Sequence, residues 1–181
     1  ILTAIMGIGN VYDGVYCESN AKSSPVPLTV LNARFTGNGS DGIFASVNGP
    51  VTIIDIRSSG NGGTGVNILN DESTTPQPVN VKKAFLNNNG GDGLAVFSSG
   101  AILIDNITAE SNGANGAFLK NDYSGATGGV AISSSMGENN FNNNGDTGLI
   151  VYTYKAISGS KITAQWNGYG LNLQNSSGVG L

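Results

Sequence analysis

Histidine is absent from the 181-residue chain, and cysteine occurs once, at Cys17. No imidazole is available as general base or metal ligand, which excludes Ser-His-Asp and Cys-His nucleophilic catalysis. One thiol excludes an intrachain disulfide framework and a cysteine zinc site. Charge is scarce: Asp, Glu, Lys and Arg make up 11% of residues, against about 25% in an average globular protein. Net charge is −4, so the basic footprint of a nucleic-acid binder is missing and no nucleic-acid partner is expected. No apolar run approaches ~18 residues, so no membrane insertion is expected. The chain begins at Ile1 and reads as a mature or excised piece of a longer protein.

What is present is small and polar: 28 Gly and 24 Asn. Such a composition invites disorder. A hydrophobic content of 39% argues against it, and so does the placement of those residues, because the chain repeats. Asn, three residues on average, Gly, an aliphatic, any residue and a second small or aliphatic residue recur seven times, starting at Asn10, Asn38, Asn61, Asn89, Asn112, Asn144 and Asn167. The repeat glycines are Gly14, Gly42, Gly65, Gly93, Gly116, Gly148 and Gly170, spaced 28, 23, 28, 23, 32 and 22 residues apart. Long and short intervals alternate, so the unit is about 51 residues and holds two coils; a fixed period of this kind marks a solenoid.

After each Gly the pattern has period two, which means strand. Val15, Ile43, Val66, Leu94, Ala117, Leu149 and Leu171 form one inward column, and Cys17, Ala45, Ile68, Val96, Leu119, Val151 and Leu173 the next. An upstream strand supplies the inward pairs Leu28 and Val30, Val51 and Ile53, Val79 and Val81, and Ile102 and Ile104. A further inward position five residues before the repeat Asn holds Ala33, Ile56, Ala84, Ile107 and Ile162. Helical periodicity is absent, and Gly and Asn disfavour helices. The expectation is an all-β solenoid of about seven coils, stacked at ~4.8 Å into a rod on the order of 34 Å long. It is one domain over 1–181. Residues 1–13 form a partial coil, 14–64, 65–115 and 116–169 the double-coil repeats, and 170–181 a last partial coil.

The Asn column is expected at a bend, where stacked amides donate and accept along the column. The Gly four residues later serves positive φ or close approach of the coils. Loops at 20–27, 70–78 and 121–129 fall at equivalent places and should stack on one edge, with a further extension within 133–143.

The N-x-x-x-G-[VIL]-x-[VIL] pattern, from about Asn10 to Leu173, resembles the parallel β-helix repeats of the pectate-lyase-like superfamily. The resemblance implies a right-handed parallel β-helix. It is specific for fold and not for function, since the superfamily spans polysaccharide lyases, glycoside hydrolases, tailspikes, adhesins and surface repeat domains. A non-catalytic surface or adhesin type is expected, extracellular or at the cell surface. The apolar start and the mid-repeat stop point to partners in the form of neighbouring repeats of a longer chain, or further copies end to end.

Candidate residues follow from the columns. Six residues before each Asn stand Asn32, Asp55, Lys83, Asn106, Glu138 and Lys161. Charge compensation along an exposed stack is the simpler reading. The alternative is a lyase-like acid/base site of Asp55, Lys83 and Asp105, with Arg34 and Arg57 nearby, which the resemblance would pair with Ca²⁺. Asp13, Asp41 and Asp92 each precede a repeat Gly. Carboxylates on every second coil would stand ~9.6 Å apart, too far to share one Ca²⁺ bound at about 2.3–2.6 Å. No metal site and no cofactor are therefore expected, Ca²⁺ being the one ion considered. Tyr16, Phe44, Phe118, Tyr152, Tyr154 and Trp166 are the candidates for glycan or subunit contact, because aromatic faces stack on sugar rings. Cys17 is a small inward hydrophobe. Scattered Thr argues against an ice-binding face.

Overall fold

The computed structural model describes residues 1–19 and 24–175. It is all-β, with no helix among the described residues, and stacks parallel strands into a β-solenoid of about six turns. Two sheets run the length of the rod. The first contains Leu28–Thr36, Val51–Ser59, Val79–Phe85, Ile102–Thr108 and Val130–Ser133 in that order; the second contains Val15–Glu18, Ile43–Ser46, Val66–Asn70, Leu94–Ser98, Ala117–Asn121, Thr147–Thr153 and Tyr169–Asn175. Every pairing is parallel and joins a residue to its equivalent one coil on, such as Ile43 to Val66 and Val66 to Leu94. The predicted inward columns are the registered columns, and their central members are fully buried.

A further inward column escaped the pattern reading. Three residues before the repeat Asn stand Phe35, Ser58, Leu86, Ala109, Phe141 and Ala164. Phe35 and Phe141 are the largest fully buried side chains of the core. Large and small residues alternate along this column, which lets the rings fill space that their neighbours leave.

Each long strand of the first sheet bends in the middle. Ala4, Asn32, Asp55, Lys83, Asn106 and Lys161, all six residues before the repeat Asn, have φ between 50° and 57°. A second left-handed position lies directly before the Asn and is filled by Gly9, Gly37, Gly60, Asn88, Ser111, Asn143 and Trp166. These left-handed residues turn the chain without a helix, and the coil that holds Glu138 has only the second of them. Left-handed backbone costs a non-glycine residue roughly 1–2 kcal/mol, so the stacked coils must impose this bend. The repeat glycines are not in this conformation. A Cβ on Gly65 would meet the carbonyl oxygen of Gly93 at 2.6 Å, so these glycines serve close coil-to-coil approach.

The Asn column does form a ladder at the second bend. Each Nδ2 donates to the Oδ1 of the next Asn, at 2.8 Å from Asn10 to Asn38 and 3.1 Å from Asn144 to Asn167. Each backbone N–H of the column donates to that same next Oδ1, as from Asn89 to Asn112 at 3.0 Å. The second amide hydrogen goes back to a backbone carbonyl of the preceding coil, from Asn112 to Leu86 at 2.9 Å. Both lone pairs and both N–H groups of an interior rung are thereby matched, which burial of an amide demands.

A second buried polar ladder lies at the opposite corner, five residues after the repeat Gly. Asn70, Ser98, Asn121 and Thr153 are all fully buried. Asn70 donates to Val47 and Gly49 carbonyls, Asn121 to those of Ser98 and Gly100, and Thr153 Oγ1 to Asn121 Oδ1 at 3.2 Å.

Candidate functional site

The outer face of the first sheet is creased at its left-handed bend, and the crease carries the candidate acid/base residues. Asp55 and Lys83 stand one coil apart and line a common hollow of about 410 Å³ with Asn106, Met136 and Glu138. No ion pair joins Asp55 to Lys83 or Glu138 to Lys161 among the described residues, so the expected charge compensation is not made by direct contact. Asp55, Lys83 and Lys161 sit at left-handed positions, whereas Glu138 belongs to an extension without one.

Asp105 is in a different place. It is in register with Lys82 rather than Lys83 and is 7% exposed. The Ser135 backbone N–H donates to its Oδ1 at 2.8 Å, and the Ser135 hydroxyl to its Oδ2 at 2.7 Å. Burial alone raises the Asp105 carboxyl. The two Ser135 bonds, the Lys82 charge and a Ser133 bond outweigh it and hold the group below its ordinary range. Asp105 is thus an anchor for the 133–138 extension, and its neighbour Asn106 accepts from Ser134 at 3.3 Å and from the Met136 N–H at 3.2 Å. The extension also displaces a coil-to-coil bond. Fully buried Asn139 repairs it: its Oδ1 accepts the Ile107 N–H at 3.0 Å, standing in for a backbone carbonyl. An Asn in an otherwise Ala/Ile column was the available sequence signal for this repair.

The carboxylates before the repeat glycines act as backbone acceptors. Asp13 Oδ1 takes the Asp41 N–H at 2.8 Å, Asp41 Oδ1 the Thr64 N–H at 2.6 Å, and Asp92 Oδ1 the Asn115 N–H at 2.8 Å. Asp13 and Asp41 occupy adjacent coils, not alternate ones, since they pair directly along the stack. Burial pushes Asp92 up, against the Asn115 hydrogen bonds and with the charges of Asp146 and Asp41. No group of three or more potential ligands for a metal ion occurs among the described residues.

The aromatic candidates divide into separate clusters. Tyr16 and Phe44 stack with ring centroids 5.2 Å apart and an angle of 13°. Phe118 is not their neighbour: Asn67 and Ala95 occupy the coils between, and Phe118 meets Phe97 edge-on at 5.5 Å and Tyr152 at 5.6 Å. Tyr154 is at the margin of exposure, and Trp166 is 76% exposed at a left-handed bend.

On the loop edge, the 70–78 and 121–129 segments come together near Tyr123 and Asp71. Burial first, then the Asp71 charge, raises the Tyr123 hydroxyl. Lys120 lies 5.3 Å from the Tyr123 ring and 3.7 Å from Asp122. Of the 20–27 loop, residues 20–23 lie outside the described residues.

Comparison with protein families, curated proteins and solved structures finds no match to this chain.

Proposed function

We propose that this chain is a non-catalytic β-solenoid module, extracellular or at the cell surface, with a structural and adhesive role. Its coils are right-handed, the sense that parallel crossovers adopt in ≈ 98% of cases. Its partners are other coils, either neighbouring repeats of a longer protein or further copies end to end. The observation that carries this reading is the ladder from Asn10 to Asn167, in which each interior amide bonds to the coils on either side. Such a ladder propagates along the rod and rewards each added coil. The surface placement rests on the family resemblance.

Negative-stain electron microscopy over a concentration series tests the stacking. Filaments one solenoid wide that lengthen with concentration are the expected result. Rods of one fixed length at every concentration would restrict the partners to repeats of the same chain.

One observation favours a second reading, a lyase-like enzyme or glycan-binding fragment. Asp55 and Lys83 share a hollow large enough for a sugar unit. Release of unsaturated ends from uronic-acid polymers, with and without Ca²⁺, and its loss in Asp55→Ala would establish that reading and sink the non-catalytic one.

A further inference from the structure

Two arginines stand side by side on the outer face of the first sheet with no carboxylate between them. Arg34 and Arg57 are register partners in adjacent parallel strands, both exposed. Like charges directly opposite one another destabilise a sheet. The chain has only eight basic residues, so the juxtaposition is not the by-product of a basic surface. Arg34 Nε donates to Thr36 Oγ1 at 3.2 Å, and the Arg57 guanidinium lies 4.6 Å over the ring of Phe85. Neither makes an ion pair among the described residues.

Both arginines line a hollow of about 380 Å³ whose other walls are Ser59, Phe85, Asn87 and Asn88. That lining holds no acid. It offers two guanidinium forks, a hydroxyl and two side-chain amides. The Asn87 Oδ1 already accepts the Glu110 N–H at 3.0 Å, which leaves its amide hydrogens as the free polar face. Phe85 is 41% exposed and gives the hollow an apolar wall. Asp55 borders both arginines only in the separate hollow on their other flank, of about 350 Å³.

We propose that this hollow binds an oxyanion carried on a sugar-sized body, gripped by Arg34 and Arg57 and seated against Phe85. Guanidinium forks match the geometry of carboxylate, phosphate and sulfate oxygens, and each such hydrogen bond is charge-assisted. Adjacent strands lie about 4.8 Å apart, so the two forks reach different oxygens of one anion. The exposed ring covers the apolar face of the attached body. The site goes beyond the structural reading and does not depend on it, since a single rod carries the whole hollow.

The test is an NMR titration of the ¹⁵N-labelled chain, following the Arg34 and Arg57 Nε–H signals and the Phe85 ring. The probes are sodium sulfate, sodium phosphate, glucuronate, glucose 6-phosphate and glucose, each at ionic strength matched with sodium chloride. Saturable shifts at these three residues with the anions, and none with glucose, are expected. The glucuronate and glucose 6-phosphate arms distinguish a carboxylate from a phosphate-type ligand. Arg57→Gln should weaken binding at least tenfold, whereas Lys155→Gln, which removes the same charge from a remote exposed position, should change it less than twofold. Non-saturating shifts, shifts equal to those from chloride, or equal weakening by the two variants would overturn the proposal. The Asn61 and Asn89 amide signals report whether Arg57→Gln keeps the fold. Should it not, Phe85→Ala replaces it, with a loss of at least threefold for glucose 6-phosphate expected and no loss overturning the seat on the ring.

Discussion

The Asn61 side-chain amide donates to Asn89 Oδ1 at 2.9 Å, one coil on, and both residues are 2% exposed. Asn61 Oδ1 in turn accepts the Asn38 amide at 2.8 Å and the Asn38 backbone N–H at 3.0 Å. Asn61→Ala removes the acceptor for two buried donors and one donor to Asn89. An unmatched buried polar group costs ≈ 1–3 kcal/mol, so a loss of about 3 kcal/mol or more is expected in urea unfolding. A loss below about 1 kcal/mol would mean that water replaces the rung.

Gly93 and Gly60 should respond to alanine for different reasons. A Cβ on Gly93 would lie 2.6 Å from the Gly116 carbonyl oxygen and 2.7 Å from Ala109 Cβ, whereas one on Gly60 meets nothing within 4 Å. Gly93→Ala therefore forces the coils apart, and overpacking of this kind costs about 1–3 kcal/mol or more. Gly60→Ala has only its φ of 66° to contend with, at about 1 kcal/mol. Thermal unfolding should rank Gly93→Ala as the more damaging of the two.

Asp92 supplies a pH prediction. Burial raises it in the fold, so the folded chain holds this proton more tightly than the unfolded chain. Its contribution is fully present below the unfolded value of about 3.9 and is lost as pH rises through the raised native value. Asp92→Asn keeps an Oδ1 for the Asn115 N–H and sheds the charge. The variant should be more stable than wild type at pH 7, by up to about 1 kcal/mol, and equal to it at pH 3. Denaturant midpoints at the two pH values check this.

Asp105 has the opposite sign. Its carboxyl is lowered, so its contribution is present above about 3.9 and is lost as pH falls through the lowered native value. Hydrogen bonds to a charged group contribute about 1.5–3 kcal/mol. Asp105→Asn should accordingly speed hydrogen exchange at the Ser135 amide by about tenfold or more at pH 7. Exchange unchanged at Ser135 would mean that the 133–138 extension is held elsewhere.

Much of the fold was legible because a solenoid writes its cross-section repeatedly along the chain. Val15, Ile43 and Val66 share a column because equivalent positions recur, and no long-range guess was needed to align them. The Asn ladder was legible for the same reason. The opposite corner was not: Asn70, Ser98, Asn121 and Thr153 are chemically related but not identical, and a column that switches between amide and hydroxyl has no one-letter signature. The candidate site was less legible still. Asp55, Lys83 and Asp105 looked like neighbours by spacing, yet Ser135 takes Asp105 and leaves the other two in the crease.

The sequence by itself determined the repeat, the period-two strands, the inward columns and the position of the Asn rungs, because these follow from local pattern and composition. Tertiary structure alone decided the left-handed bend that runs through residues as different as Ala4, Asp55 and Lys83. No propensity shared by those side chains selects it; the stacked coils do, since each backbone must follow the one before it to keep its hydrogen bonds. The same stacking set Arg34 beside Arg57 and turned Asp105 toward Ser135, because register places side chains next to partners that lie a whole coil away in sequence.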